Sequence, residues 1–273
     1  MISGPRLVPM SNPHITKVSD QAAFLLAPNP GPMSLDGTNS WILRAPGEEH
    51  SIIVDPGPED AGHLGALAAE SVELILITHR HGDHTAGIDT LHRLTGAPVR
   101  AYLPEFCRDA QPLKPGEEIG AAGLRLNVLA TPGHTSDSLS FLLPDDGPTG
   151  SMLTGDTILG RGTTIIDAPD GTLGDYLASL DALSAAPDAL VLPAHGPVLP
   201  SLHEVVDRYR THRHERLEQI RAALAQLRAN GGEDPTIEQI TDLVYRDVDP
   251  QVRGAAETSV AAQRRYLLEF EAF

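Results

Sequence analysis

Leu74-Ile75-Leu76-Ile77-Thr78-His79-Arg80-His81-Gly82-Asp83-His84 runs from an apolar stretch directly into a polar turn. The Leu/Ile alternation bounded by polar residues reads as a buried strand. Three His and one Asp then fall within the six residues from 79 to 84. Imidazole nitrogen and carboxylate oxygen are the two donor types, besides thiolate, that zinc accepts readily. Residues two apart at a strand end point the same way, so His79 and His81 can grip one cation. A turn at Gly82 redirects Asp83 and His84 toward a second.

Outward from this segment the pattern repeats. His134 follows Thr131-Pro132-Gly133 after a strand expected at Leu124–Ala130, and Asp156 follows Thr154-Gly155 after one at Ser151–Thr154. His195 sits in Pro193-Ala194-His195-Gly196 after a strand at Ala189–Leu192. Open α/β sheets place their sites at such strand ends. A lone strand-end histidine is more often a hydrogen-bonding residue than a ligand; seven donors at four strand ends argue for a two-cation site. Asp55, in Val54-Asp55-Pro56-Gly57, reads equally as a turn former or as a carboxylate that orients a ligand histidine. His14, His50, His63, His92, His203 and His214 lack companions and are expected at the surface.

Further strands are expected at Ala22–Ala27, Asn39–Ala45, Ser51–Asp55, Pro98–Leu103 and Ser138–Leu143, and helices at Glu59–Glu70, Thr85–Leu94 and Leu173–Ala185. Interleaved in this way they predict an α/β layered domain over residues 1–200. Residues 201–273 read differently. His203–Arg228 is one long amphipathic helix ended by Asn230-Gly231-Gly232, with further helices from about Thr236 and over Gly254–Phe270. They form a small C-terminal helical domain.

Composition limits the chemistry. Cys107 is the single cysteine, so an intramolecular disulfide and a thiolate-rich zinc site are both excluded. The net charge of −17 disfavours indiscriminate binding to nucleic acid or anionic membrane. Residues 201–273 carry ten Lys/Arg against 13 Asp/Glu, so most of the excess lies before them. No apolar run is long enough to span a bilayer, and MISGPRLVPMSNPH lacks the apolar stretch of a secretory leader. A cytoplasmic location is expected, and an oligomer is left open.

The set THRHGDH, TPGHT, TGD and PAHGP resembles the metallo-β-lactamase superfamily over about the first 200 residues. That resemblance implies an αββα sandwich with metals at one edge. It implies His79, His81 and His134 on a first metal, Asp83, His84 and His195 on a second, and Asp156 between them. Class B1 lactamases carry Cys where this chain has Asp156, which argues against an antibiotic-resistance enzyme. The di-iron flavoprotein branch has Glu in place of the second His, so His81 favours zinc, two per chain. Gly37-Thr38-Asn39, Pro132-Gly133-His134-Thr135, the run Gly155–Thr164, His195-Gly196-Pro197-Val198 and Tyr209-Arg210-Thr211-His212-Arg213 are similar to the lactamase-β-like protein 2 family. That family's C-terminal helices form a winged-helix-like domain, and its mitochondrial animal members cleave single-stranded RNA.

The first functional expectation is therefore phosphodiester hydrolysis in single-stranded RNA by a hydroxide bridging two zinc ions, with Asp83 and Asp156 as the catalytic carboxylates. Gly160, Gly162 and Thr163 offer backbone N–H groups and a hydroxyl to an anionic substrate, and Thr135, His212 and Arg213 are further supporting or substrate-binding candidates. Arg208, Arg210, Arg213 and Arg216 can meet phosphates, although interleaved Glu204, Asp207 and Glu215 favour a solvated, ion-paired face. The alternative is hydrolysis of a small thioester or lactone of glyoxalase II type, whose glutathione-binding signature is missing here. A metal-stabilised binding module ranks last, since structural zinc sites are closed and four-coordinate.

Overall fold

The computed structural model describes residues 14–230, 234–247 and 249–270. Residues 1–13 and the Gly231-Gly232 pair therefore lie outside the described residues. Apolar residues alternating with period two build two sheets. The first holds β1 (Ile15–Lys17), β2 (Ala22–Leu26), β3 (Asn39–Leu43), β4 (Ser51–Val54), β5 (Val72–Leu76) and β6 (Val99–Arg100), in that spatial order. It is antiparallel up to β4 and parallel from β4 through β6. The second holds β7 (Glu118–Ala121), β8 (Leu124–Ala130), β9 (Leu139–Leu143), β10 (Ser151–Gly155) and β11 (Leu190–Pro193), ordered β11-β10-β9-β8-β7. Only β10 and β11 pair in parallel there.

Successive side chains of one strand serve opposite layers, as a pleat dictates. Val54 and Leu76 face Val128, Phe141, Leu153 and Leu192 between the sheets. Their neighbours Ile53, Ile75 and Ile77 pack outward on Leu64 and Leu67 of α1 (Ala61–Ala68) and Leu91 of α3 (Ile88–Thr95). Leu142, Met152 and Val191 face the other way, against α4 (Leu173–Ala185) and α5 (Leu202–Ala229). Each fully buried side chain of this size contributes about 1.5–3 kcal/mol. The result is helix, sheet, sheet, helix: the αββα sandwich.

The expected helix Thr85–Leu94 is two pieces, α2 (Gly82–Thr85) and α3, because the chain passes close to α1 at Gly87. A Cβ at Gly87 would stand 2.6 Å from Leu64 Cδ2. The strand expected at Pro98–Leu103 shrinks to β6, and the chain then turns through a 3-10 segment at Pro104–Phe106. After β11 the described residues are helical, α5 being joined by α6 (Ile237–Val244) and α7 (Arg253–Phe270). Ser201 caps α5 by accepting from the Glu204 N–H, and Thr236 and Gln239 form a capping box on α6. The apolar layer between the second sheet and the helices is continuous from Leu142 to Leu267. Among the described residues, no helix is long and apolar enough to cross a membrane.

Candidate metal centre

The ends of β5, β8, β10 and β11 converge at one edge of the sandwich, and they deliver seven donors in two groups. His79, His81, His134 and Asp156 form one, and Asp83, His84 and His195 the other, with the donor atoms of each group all within 4.8 Å of one another. His79 and His84 are buried, as are His134 and His195, and Asp83 and His81 are half-buried.

Each imidazole is held by the ring nitrogen that faces away from its group. His84 Nδ1 lies 2.9 Å from Asp55 Oδ2, and His195 Nδ1 lies 3.0 Å from the Gly37 carbonyl. His134 Nδ1 donates to the Ile165 carbonyl at 2.7 Å, and His81 Nε2 lies 3.1 Å from Asp167 Oδ2. The Thr78 hydroxyl donates to Asp55 Oδ2 at 2.7 Å, which leaves its oxygen to accept from His79 Nδ1 at 3.0 Å. In the neutral imidazoles these bonds fix five tautomers, leaving a lone pair on His79 Nε2, His81 Nδ1, His84 Nε2, His134 Nε2 and His195 Nε2.

Those lone pairs face one another, which hydrogen bonding alone does not explain. His81 Nδ1 is 3.1 Å from His79 Nε2 and 3.0 Å from His134 Nε2. His84 Nε2, His195 Nε2 and Asp156 Oδ1 are buried without a hydrogen-bond partner. Tetrahedral bonds of about 2.0–2.1 Å would put donors roughly 3.3–3.4 Å apart. The other spacings bracket that value, with His195 Nε2 3.2 Å from Asp83 Oδ2 and 3.3 Å from Asp156 Oδ1. Asp156 turns Oδ2 toward His134 at 3.6 Å and Oδ1 toward His84 at 3.6 Å. One carboxylate thus faces both groups, and the residues fit two divalent cations sharing Asp156.

The electrostatics agree. Burial holds the pKa of His79 and of His134 below the usual imidazole value. Burial acts in the same direction on His84 and His195, but the Asp156 carboxylate outweighs it and raises both, His195 to about 9. Burial would raise Asp156 as well, yet His195 and His84 hold it well below the carboxylate range. The buried carboxylates therefore demand positive charge, as a cation site should.

The chain supports the site through Asp55 and through residues the motifs did not reveal. Asp55 adopts a left-handed backbone, φ 56°, which costs a non-glycine residue about 1 kcal/mol or more. In return Oδ1 accepts the Thr78 N–H at 2.8 Å while Oδ2 reaches His84. Of the two readings of Asp55, orientation of a histidine is the one its contacts match. Arg80 donates to Asp167 Oδ2 at 2.7 Å and to Asp170 Oδ2 at 3.1 Å, fixing the segment that carries the His81 partner. Asn39 Nδ2 donates to the Pro193 and Gly196 carbonyls at 3.0 Å each, pinning the loop that holds His195. Neither Asp167 nor the carbonyls of Gly37 and Ile165 carries a sequence signal.

Other expected residues fall elsewhere. The Thr135 hydroxyl pairs with Ser138 at 2.7 Å, which turns it to its own loop and not to a ligand side chain. The Gly160 N–H donates to the His195 carbonyl at 2.8 Å, so it supports the ligand loop and is not free for substrate. A Cβ at Gly160 would overlap the Pro197 backbone. Gly162, φ 71°, is exposed, and Thr163 Oγ1 lies 3.4 Å from His212 Nε2. Arg213 is buried, stacks on Tyr176 at 4.8 Å and donates to the Thr164 carbonyl at 2.6 Å. Arg210 pairs with Asp181 and Asp207. His63, expected at the surface, is buried against Ser40 Oγ at 2.9 Å because α1 turns its inner face to the sheet.

The loop from Thr157 to Ile165 is clamped from beneath. Tyr176 donates to the Thr157 carbonyl at 2.7 Å, and Tyr209 Oη accepts the Leu159 N–H at 2.9 Å. Beside it, a cavity of about 220 Å³ opens on His134 and Asp156, walled by Met33, Leu35, Leu159 and Ile165. Its arginine, Arg161, is paired with Asp36.

Comparison with known proteins agrees with this architecture. The chain is 33% identical over 260 residues to the beta-lactamase-like protein 2 homolog of Caenorhabditis elegans, covering 90% of this chain and 83% of the relative. It is 30% identical over 262 residues to the atrochrysone carboxyl ACP thioesterase of Aspergillus chevalieri, covering 93% and 82%. A metallo-beta-lactamase family protein from Thermus thermophilus shares the fold with a TM-score of 0.73 at 24% identity, covering 91% of this chain and 93% of that one. The family model described as the metallo-beta-lactamase superfamily matches residues 33–195. With its donors converging at the sheet edge where that match ends, the chain belongs to the metallo-beta-lactamase superfamily and is a metal-dependent hydrolase.

Proposed function

We propose that the chain hydrolyses a small carboxylic thioester or ester, using two zinc ions held by the seven donors. The carrying observation is the cavity beside Asp156 and His134, whose walls are Met33, Leu35, Leu159 and Ile165 and whose arginine is already ion-paired. Apolar walls with a few convergent polar groups suit an acyl group. A single-stranded RNA track calls for aromatic platforms and free cations. Here aromatic residues make up 4% of the chain, and Arg210 is ion-paired with Asp181 and Asp207. The thioesterase name of the Aspergillus chevalieri relative supports the same substrate class.

His79, His81 and His134 would hold one cation and Asp83, His84 and His195 the other, with Asp156 between them. Bound there, divalent cations would supply Lewis acidity toward a carbonyl and lower the pKa of coordinated water to about 7. The protein's own part is orientation. Asp55, Gly37, Thr78, Asp167 and Ile165 keep the five imidazoles in the metal-binding tautomer. Asp83 turns Oδ2 to His195 and is 31% exposed, and its second oxygen would take a proton from the attacking water. The apolar wall keeps bulk water off the acyl chain.

The test is a substrate panel with the zinc-loaded chain: an acyl thioester, a lactone and a labelled single-stranded RNA. Turnover of the thioester, abolished by EDTA, is expected with about two zinc per chain. RNA cleavage with an untouched thioester would overturn this reading and put phosphodiester hydrolysis in its place.

A further inference from the structure

A second cavity, of about 210 Å³, lies on the other side of the strip Thr163–Ile165, between α5, Tyr245 and α7. It is lined by Thr163, His212, Arg213, Arg216, Tyr245 and Ser259, with small apolar residues of α7 between them. On a chain of net charge −17, none of its described lining residues is acidic.

Its two arginines differ from most of the others among the described residues. Arg44, Arg100, Arg125, Arg161, Arg210 and Arg253 each form an ion pair with Asp or Glu. Arg213 is 3% exposed, and it meets the neutral Thr164 carbonyl and the Tyr176 ring. Its Nε is buried without a hydrogen-bond partner. Arg216 stacks on Tyr245 at 4.6 Å and donates to Gln219 at 2.7 Å, with no carboxylate partner among the described residues. A buried guanidinium lacking a countercharge is unfavourable unless something anionic completes it. His212 stands between this pair and Thr163, and burial followed by Arg213 and Arg216 holds its pKa below the ordinary value. Glu215, the carboxylate that opposes this, is exposed and does not line the cavity.

We propose that this cavity is an anion subsite that takes a phosphate or carboxylate on the leaving-group arm of the substrate; its role in turnover rests on the acyl-hydrolase reading above. The two cavities share Thr163, Thr164 and Ile165. An arm crossing that strip joins the scissile bond at the metal donors to an anionic end at Arg213 and Arg216. Two guanidinium groups and a hydroxyl-bearing rim suit a tetrahedral or planar oxyanion.

The experiment has two arms on the full, zinc-loaded chain. In the first, inorganic phosphate is titrated at pH 7 while the His212 ring-proton resonance is followed, assigned by its loss in His212→Gln. A saturable shift is expected, with affinity about tenfold weaker in Arg216→Gln and unchanged in Arg208→Gln, whose exposed side chain does not line the cavity. In the second, kcat/KM is compared for one acyl group on coenzyme A, which carries phosphates, and on N-acetylcysteamine, which carries none. The ratio should favour coenzyme A and fall about tenfold in Arg216→Gln, through KM. Absence of a His212 shift, or equal shifts in wild type and Arg216→Gln, overturns the subsite. Phosphate binding without discrimination between the thioesters overturns its role toward substrate. Phosphate binding that Arg216→Gln weakens, with no thioester turnover at all, leaves the subsite standing and sinks the acyl-hydrolase reading instead.

Discussion

The two donor groups share Asp156 and a sheet edge, yet they are held by different parts of the molecule. His84 and His195 are fully buried and steadied by Asp55 and the Gly37 carbonyl, both belonging to the first sheet and its loops. His81 and His134 depend on Asp167 and the Ile165 carbonyl, on a segment that Arg80 holds from one side and Arg213 of α5 from the other. One half of the site is thus set by the core, the other by a loop whose position is negotiated with the C-terminal helices. Metal affinity and its sensitivity to mutation should differ accordingly.

The severest break of that comparison is Asp156→Ala, which removes the oxygen facing each group. If the seven donors hold two cations as proposed, bound divalent metal should fall from about two per chain toward one or fewer, and kcat by about 10³-fold or more. Two metals and full activity by elemental analysis and steady-state assay would show that Asp156 does not bridge. Next comes Asp55→Ala. It should weaken a metal at Asp83, His84 and His195 by about 100-fold, the upper end for a carboxylate behind a ligand histidine, and the other metal by less, because Asp55 reaches His79 only through the Thr78 hydroxyl. Competition with a chromophoric chelator reads this directly, and equal weakening of both metals would erase the proposed division.

A milder change is expected at Asp167→Asn, since Asp167 is 39% exposed and water can replace part of its bond. About tenfold weaker binding at the His79, His81 and His134 group is expected. An effect exceeding that of Asp55→Ala would reverse the ranking of core over loop. The smallest effect concerns His63, buried behind Ser40 on the first-sheet side, whose pKa burial lowers from 6.5 to about 4. The unfolded chain binds the proton more readily between those values, so stability falls as pH drops from 6.5 toward 4. The loss is about 1 kcal/mol at pH 5.5. Denaturant midpoints should show this slope, and His63→Gln should reduce it, the remainder belonging to His79 and His134.

Much of this architecture is legible in the sequence because it rests on local pattern. β8 and α4 begin and end where their sequence signals do, and seven strand-end donors do meet. Two edge strands escape that reading for a physical reason. Ile15-Thr16-Lys17 is short and largely exposed, and in Glu118-Ile119-Gly120-Ala121 only Ile119 is buried, so neither shows the apolar alternation of a core strand. The supporting partners escape for another: Asp167, Gly37 and Ile165 act on histidines 31 to 158 residues away, and two of the three do so through a carbonyl that every residue possesses. Arg213 reads as a surface cation because its helix is studded with charge. Only the packing of Tyr176 and Thr164 around it reveals where it lies.

The apolar layer that runs unbroken from Leu142 to Leu267 also bears on how the chain can be divided. Trimming it after Pro200 would strip the outer cover from Met152, Val191 and Tyr176 and release Leu159 from the Tyr209 hydroxyl. Such a fragment would be sticky and slack at its mouth while keeping every donor, so the helices serve as the fourth wall of the catalytic half.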